Sequence, residues 1–332
     1  MISRKNIIVT RTPLRMSFAG GGTDLPAFYQ KDYGAVLSMA INKYIYVTVK
    51  RHGEIFNEPV RLNYSKTELV INIDEIENDI VRASLRFLEI ELPLYISTIA
   101  DLPASTGLGG SSSFAVGLLN ALHAYRGERV SAGQLAEEAS YIEMDVLKQP
   151  IGKQDQYAAA FGGFNLFRFE SDGTVTVDPL HMSNGMLQTF LDHVLVFWTG
   201  IRRDASSVLT KQKENTPQKM ANLQSMRSHA HQLRELISNG HFDTLEFGRI
   251  LDETWQLKRT LADTISNIEI DQWYGHAIES GATGGKICGA GGGGFLLFVA
   301  PRERHNGIRK ALGGLTEIEV GLEVHGSEIL IS

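Results

Sequence analysis

The residues best able to do chemistry in this sequence gather in three glycine-rich clusters and one pair of carboxylates. The central cluster, Leu102-Pro-Ala-Ser-Thr-Gly-Leu-Gly-Gly-Ser-Ser-Ser-Phe114, runs into an apolar helical pattern of Phe114, Val116, Leu118, Leu119 and Leu122. Glycines let backbone N–H groups close on an anion, and the helix N-terminus adds partial positive charge, so this segment reads as a phosphate cradle. A flexible turn with a serine N-cap is the simpler alternative. The first cluster, Pro13-Leu-Arg-Met-Ser-Phe-Ala-Gly-Gly-Gly-Thr-Asp24, holds an arginine, three bare glycines and an aspartate. Asp24 suits vicinal hydroxyls of a sugar, and it equally suits a helix N-cap before Leu25-Pro26; the two readings are compatible.

The carboxylate pair is Glu143 and Asp155. Glu143 shares a helical stripe with Ala136, Ala139 and Ser140, and Asp155 sits among amides in Gln149-Pro-Ile-Gly-Lys-Gln-Asp-Gln156. One acidic group to hold Mg²⁺ and another to orient a hydroxyl proton are what phosphoryl transfer asks for. A helical Glu is ordinarily a surface residue and a loop Asp ordinarily solvated, so the pairing needs its neighbours to give it meaning. Two familiar nucleotide motifs fail. Gly285-Lys286-Ile287 has Ser280 and Ile287 where a P-loop needs Gly and Ser/Thr. Gly289-x-Gly291-x-x-Gly294 fits the dinucleotide fingerprint but is followed by the strand-like Phe295-Leu-Leu-Phe298 instead of a helix.

Positioning these groups falls to a mixed α+β chain. Short β-branched runs predict strands at Ile7–Val9, Ala35–Leu37, Tyr44–Val49, Val60–Leu62 and Leu94–Thr98, and helical periodicity covers 76–89, 112–125 and 131–147, the last opening on a Ser131/Gln134 capping box. Further strands are predicted at Phe164–Phe169, His193–Trp198, Phe295–Val299, Ile318–Val320, Glu323–Val324 and Glu328–Ile331, with long polar helices over 213–238 and 241–263. A change in composition puts a soft boundary near residue 185, giving domains 1–185 and 186–332. The 332 residues carry 43% hydrophobic and 21% charged side chains and a net charge of −6, which excludes disordered and fibrous classes. Lys and Arg form no basic run, so nucleic acid is not an expected partner. No apolar stretch approaches a membrane span, and the single cysteine, Cys288, permits no intramolecular disulfide, which together predict a cytoplasmic protein away from the membrane. Cys288 reads as a packing residue, with a reactive thiol as the minor alternative.

In their order along the chain, the three clusters resemble the GHMP kinase superfamily. Pro13 to Asp24 is similar to its first motif, Pro103 to Ser112 to its phosphate-binding Pro-x-x-x-Gly-Leu-Gly-Ser-Ser, and Gly281 to Gly294 to its third. The resemblance implies an N-terminal domain like ribosomal protein S5 domain 2, a ferredoxin-like C-terminal domain, and a site between them. It implies ATP as co-substrate with Mg²⁺ on Ser111 and Glu143, Asp155 at the acceptor hydroxyl, and Arg15 stabilising charge. It implies a triphosphate wrapped by Pro103, Gly107, Leu108, Gly109, Gly110, Ser111 and Ser112. Gly110 departs from the pattern, standing where the first serine of the pair is usual. Gly20-Gly21-Gly22-Thr23-Asp24-Leu-Pro26, Ile41-Asn-Lys-Tyr44 and Gly152-Lys-Gln-Asp-Gln156 resemble the D-glycero-D-manno-heptose 7-phosphate kinases in particular. That implies phosphorylation of the anomeric C1 hydroxyl of the heptose 7-phosphate, with residues 20–24 and the floor at Gly291 and Gly292 holding the sugar. The sugar phosphate needs cations, for which Lys43, Lys153, Arg202 and above all Arg203 are candidates; a solvated surface arginine is the alternative at Arg203. Competing readings are a kinase for another sugar such as fucose, and a non-catalytic sugar sensor, which the joint presence of Ser111, Glu143 and Asp155 disfavours.

Overall fold

The computed structural model describes residues 7–332 apart from 54, 203, 204, 239 and 241. Its strands are β1 (Ile7–Ala19), β2 (Gly34–Arg51), β3 (Val60–Asn63), β4 (Thr67–Val70), β5 (Leu94–Ala100), β6 (Phe164–Phe169), β7 (Val175–Pro179), β8 (Val194–Trp198), β9 (Gly284–Ile287), β10 (Phe295–Val299), β11 (Thr316–Ile318) and β12 (Glu328–Ile331). The helices are α1 (Pro26–Tyr29), α2 (Asp79–Phe87), α3 (Gly110–Tyr125), α4 (Ala132–Ser140), α5 (Gln154–Phe161), α6 (Asn184–Leu191), α7 (Ala205–Asn215), α8 (Met220–Ser238), α9 (Thr244–Arg259), α10 (Ile268–Glu279) and α11 (His305–Ala311). An eight-stranded sheet runs β12-β1-β2-β5-β3-β4, with β6 on the first half of β2 and β7 beyond it; a four-stranded sheet runs β11-β8-β10-β9.

Strands β1 and β2 form the frame. The apolar runs at 35–37 and 44–49 belong to one strand, because the intervening Asn42 and Lys43 are absorbed in a bulge: Pro13 pairs with Tyr44 and the next residue, Leu14, with Ile41. Proline has no N–H for a ladder, so the bulge is also where Pro13 costs least. Helix α3 lies against this pair, buried from Ser112 through Tyr125 apart from Phe114. Gly117 permits the close approach, since a Cβ there would stand 2.6 Å from Thr12 Oγ1. Thr10 Oγ1 donates to the Gly117 carbonyl at 2.9 Å.

Several sequence expectations shift. The helix expected over 131–147 opens as foreseen, with Ser131 accepting from the Gln134 N–H, but after Ser140 it widens into a π-helical turn, Tyr141–Val146. The long polar helix is broken at Thr216–Lys219 around Pro217, which lacks an N–H to continue it. His241, at the expected start of the next helix, lies outside the described residues. Of the closing strands, Thr316–Ile318 joins the small sheet, Leu322 forms only an isolated bridge with Ile41, and β12 returns to the large sheet as the antiparallel neighbour of β1.

Candidate active site

The start of α5 gathers the acidic groups. Three consecutive residues reach three different partners: the Gln154 N–H approaches Asp24 Oδ2 at 3.5 Å, Asp155 binds Arg15, and Gln156 Nε2 donates to Glu143 Oε2 at 2.7 Å. The Arg15–Asp155 contact is bidentate, Nε to Oδ1 at 2.7 Å and Nη2 to Oδ2 at 2.8 Å, a fork that fixes both planes. Arg15 Nη1 donates to the Gly107 carbonyl at 2.7 Å, and the Arg15 N–H to the Leu108 carbonyl at 3.1 Å. The guanidinium is buried while Asp155 keeps 24% of its side chain open, so this carboxylate is the solvent-facing end of the pair.

The central glycine loop touches the third cluster by bare backbone. A Cβ on Gly107 would stand 2.7 Å from the Cys288 carbonyl, and one on Gly289 would stand 2.5 Å from the Gly107 carbonyl. Gly109 caps α3 with φ +79°, a conformation glycine alone adopts cheaply, and its missing Cβ leaves room for Arg15 Cγ 3.2 Å away. The cap is therefore Gly109 rather than a serine. Gly110 opens the helix, with Ser111 exposed in its first turn, and on the loop Pro103 is exposed while Leu108 is buried. Ser111 Oγ donates to Glu143 Oε1 at 2.9 Å. Glu143 is wholly buried on the π turn, and burial pushes its carboxyl up to about 7; hydrogen bonds from Ser112, Gln156 and Ser111 oppose the rise, and the Asp155 charge adds to it. π turns re-aim side chains out of α-helical register, often at functional sites.

Around the first cluster, Asp24 does not cap α1, whose N-cap is Leu25; it accepts instead from the Gly22 N–H at 2.8 Å. Burial raises its carboxyl, with the Asp155 charge contributing and the Gly22 N–H opposing. Gly152 must be glycine, since a Cβ would lie 2.0 Å from Asp24 Oδ2. Thr23 is buried, its hydroxyl shared between the Gly20 and Ala35 carbonyls while it accepts the Ala35 N–H. Gly20 packs on Ala35, whereas Gly21 is open as far as Gln154, and Gly22 lies against Gln212. Gly291 packs on Ile265, and the Gly292 N–H donates to the Ile265 carbonyl at 2.8 Å.

Not every expected residue joins this group. Lys153 turns away: its ammonium is held by the Glu137 carboxylate and, at 2.8 Å, by the Gly173 carbonyl. Arg203 lies outside the described residues. Cys288 is buried with its thiol pushed up by burial, which makes it a packing residue. The sequence gives Gln212 and Lys258 no role and presents Lys286 only as the lysine of a failed P-loop match. Gln212 Nε2, Gln154 Oε1 and Gln156 Oε1 are buried without a hydrogen-bond partner among the described residues. Lys258 had a readable signal, because it follows Leu251, Thr254 and Trp255 on the buried face of one helix.

The described residues contain no cluster of three or more His, Cys, Asp or Glu able to enclose a metal. The oxygen pair of Ser111 and Glu143 fits a hard divalent ion that takes most of its shell from phosphates and water.

Two glycine loops meet beside a buried arginine and its half-open aspartate at a helix N-terminus, with mixed α/β layers behind, an arrangement suited to holding a phosphate group. The GHMP kinases N terminal domain model matches residues 78–163 and the GHMP kinases C terminal model residues 231–314. The chain belongs to the GHMP kinases, a two-domain family that uses ATP, generally with a divalent metal, and it is a sugar kinase. It is 32% identical over 314 residues to the D-glycero-alpha-D-manno-heptose 7-phosphate kinase of Campylobacter jejuni, covering 91% of this chain and 92% of that one. A Pyrococcus furiosus galactokinase is 26% identical, with 92% of each chain covered. The crystal structure of a D-glycero-D-manno-heptose 1-phosphate kinase from Bacteriodes thetaiotaomicron superimposes with a TM-score of 0.79 at 25% identity, over 98% of this chain and 99% of the other. No described helix is long and apolar enough to cross a membrane.

Proposed function

We propose that this enzyme transfers the γ-phosphoryl group of ATP to the anomeric C1 hydroxyl of D-glycero-D-manno-heptose 7-phosphate, giving the 1,7-bisphosphate for nucleotide-activated heptose and surface polysaccharide synthesis. The observation that carries the chemistry is the bidentate Arg15–Asp155 pair at the lip of the central glycine loop; the sugar follows from the heptose 7-phosphate kinase likeness.

Phosphoryl transfer asks the protein mainly for alignment and charge compensation. Asp155, with one face locked by Arg15 and the other open, aligns the acceptor hydroxyl and takes its proton as the O–P bond forms. Arg15 offsets the charge gathering between acceptor and phosphoryl group. The N–H groups of residues 107–112 and the α3 N-terminus hold the triphosphate. Ser111 and Glu143 hold Mg²⁺, which when bound neutralises phosphate charge. Asp24, with residues 20–23, Gly291 and Gly292, receives the sugar. With a domain boundary near residue 185, the ATP and sugar sites both fall mainly in residues 1–185, and residues 186–332 add the floor at Gly291 and Gly292.

A coupled ADP-release assay over hexoses, heptoses, fucose and their phosphates tests this, with phosphorus NMR on the product to locate the new ester. Heptose 7-phosphate is expected to give the highest kcat/KM and a C1 phosphate. Fucose or galactose as the best acceptor would replace the assignment, and no turnover with any sugar would favour a sensor.

A further inference from the structure

The third glycine cluster meets the central loop at two places, and each is held by a side chain outside the cluster. At the first, a Cβ on Gly289 would stand 2.5 Å from the Gly107 carbonyl oxygen, and one on Gly107 would stand 2.7 Å from that of Cys288. At the second, a Cβ on Gly294 would stand 2.4 Å from the Thr106 carbonyl oxygen. Backbone therefore rests directly on backbone. The Gly294 carbonyl accepts from Thr199 twice, from its N–H at 3.0 Å and from Oγ1 at 2.7 Å. Lys286 of β9, the strand leading into the cluster, donates to the Ser17 carbonyl of β1 at 2.8 Å. The Gly289 carbonyl accepts from the ammonium of Lys258, a residue 4% exposed in the last turn of α9.

Burying an ammonium is costly, and an apolar side chain of similar length, such as methionine, would fill the place without that cost. What the ammonium adds is a charge-assisted hydrogen bond that fixes the direction of the Gly289 carbonyl. Gly289 in turn covers Gly107, whose own carbonyl accepts Arg15 Nη1 at 2.7 Å. Lys258 thus stands one backbone contact away from the central loop. We propose that Lys258 is a positioning residue for ATP: through Gly289 it holds Gly107, and the N–H groups that follow, in the shape that receives the phosphates. The proposal rests on the reading above that residues 107–112 hold the triphosphate of ATP.

The test compares the full-length wild type with Lys258→Met in three ways: calorimetric titration with ATP and Mg²⁺ in the absence of sugar, kinetics with ATP and heptose 7-phosphate varied separately, and thermal melting. Kd and KM for ATP are expected to rise about 10-fold, the scale of one lost charged hydrogen bond, while KM for the sugar stays within about twofold. The melting temperature is expected to stay the same or rise, because the variant no longer buries a charge. A side chain that serves only the fold would give the reverse, a lower melting temperature with ATP binding intact, and that result overturns the proposal. An equal rise in KM for sugar and ATP overturns it as well, as does a loss of kcat alone. Should Lys258→Met not fold, Gly289→Ala carries the test: its methyl presses on the Gly107 carbonyl and is expected to give the same split between ATP and sugar. Unchanged ATP binding in that variant overturns the proposal. A wild-type enzyme that neither binds nor turns over ATP overturns the functional reading, and the inference falls with it.

Discussion

At the scale of single residues, the site is a set of mutual constraints in which no charge is free to relax. Arg15 is buried and needs both Asp155 oxygens and the Gly107 carbonyl, so its guanidinium plane also fixes the plane of the carboxylate. Asp155→Asn keeps the shape but loses the negative charge and one acceptor. We expect kcat to fall by at least about 100-fold, the usual scale for a proton-handling group, with KM for ATP nearly unchanged because the triphosphate side rests on other residues. Steady-state kinetics with ATP and sugar varied separately measure this; near-normal turnover would remove Asp155 from the chemistry. Glycine spacing and an inward helical stripe drew attention to Glu143 and Asp155, while the roles proposed for Arg15 and Ser111 came from the family resemblance; the structure brings Arg15 to Asp155 and Ser111 to Glu143. Helical periodicity could mark Lys258 as buried but not its partner Gly289, 31 positions away, nor the Asp24 contacts with Gly22 and Gln154, which depend on the folded loop.

At the scale of elements, α3 carries the central glycine loop at one end and a charge cluster at the other. His123, in its last turn, has Nδ1 2.7 Å from Glu128 Oε2 and Nε2 2.7 Å from Glu138 Oε2. A neutral imidazole has one N–H and would set a lone pair against one of these carboxylates, so the site favours the imidazolium, as does the helix C-terminus. Burial pulls the imidazole down, but the two carboxylates outweigh it and its pKa is raised. A group whose folded pKa is raised contributes stability that is complete below its ordinary pKa of about 6.5 and is lost as pH rises through the folded value. Thermal melts of the wild type should therefore fall through that window by about 2–4 °C, for a contribution on the order of 1 kcal/mol, while His123→Gln melts lower at acid pH and stays flat there. Parallel curves would deny the cluster this role. Element boundaries were legible where capping chemistry is local, as at Ser131, and not where packing decides. The π turn under Glu143 and the bulge that merges 35–37 with 44–49 leave no sequence signature, because each is an adjustment to a neighbour.

At the scale of the whole molecule, the chain fastens itself twice across its length. Phe18 of β1, Phe164 of β6, Phe190 of α6 and Phe247 of α9 form one aromatic knot, with Phe18 centroids 5.3–5.8 Å from the other three. The second fastening is β12, which leaves the small sheet's side of the sequence to pair with β1. Strand alternation gave no means to choose its partner, since a short exposed-edge strand suits either sheet. Its contacts are specific: Ser327 Oγ lies 2.8 Å from Thr12 Oγ1 and 3.0 Å from Asn120 Nδ2, and Glu328 binds Arg11 at 2.8 Å. Removing residues 327–332 touches no residue assigned to the site, yet it leaves β1 as a bare edge and orphans the Asn120 amide, which is 7% exposed. Each orphaned buried polar group costs about 1–3 kcal/mol, so the shortened chain should melt on the order of 5–10 °C lower and aggregate as it does. At low temperature it should keep its KM for ATP, because the glycine loops meet at the N-terminal end of α3, well before Asn120, where the lost strand makes its contact. Calorimetry alongside kinetics separates the two effects: an unchanged melting temperature would mean β12 is ornamental, and an early loss of KM would mean that β1 transmits its edge to Arg15.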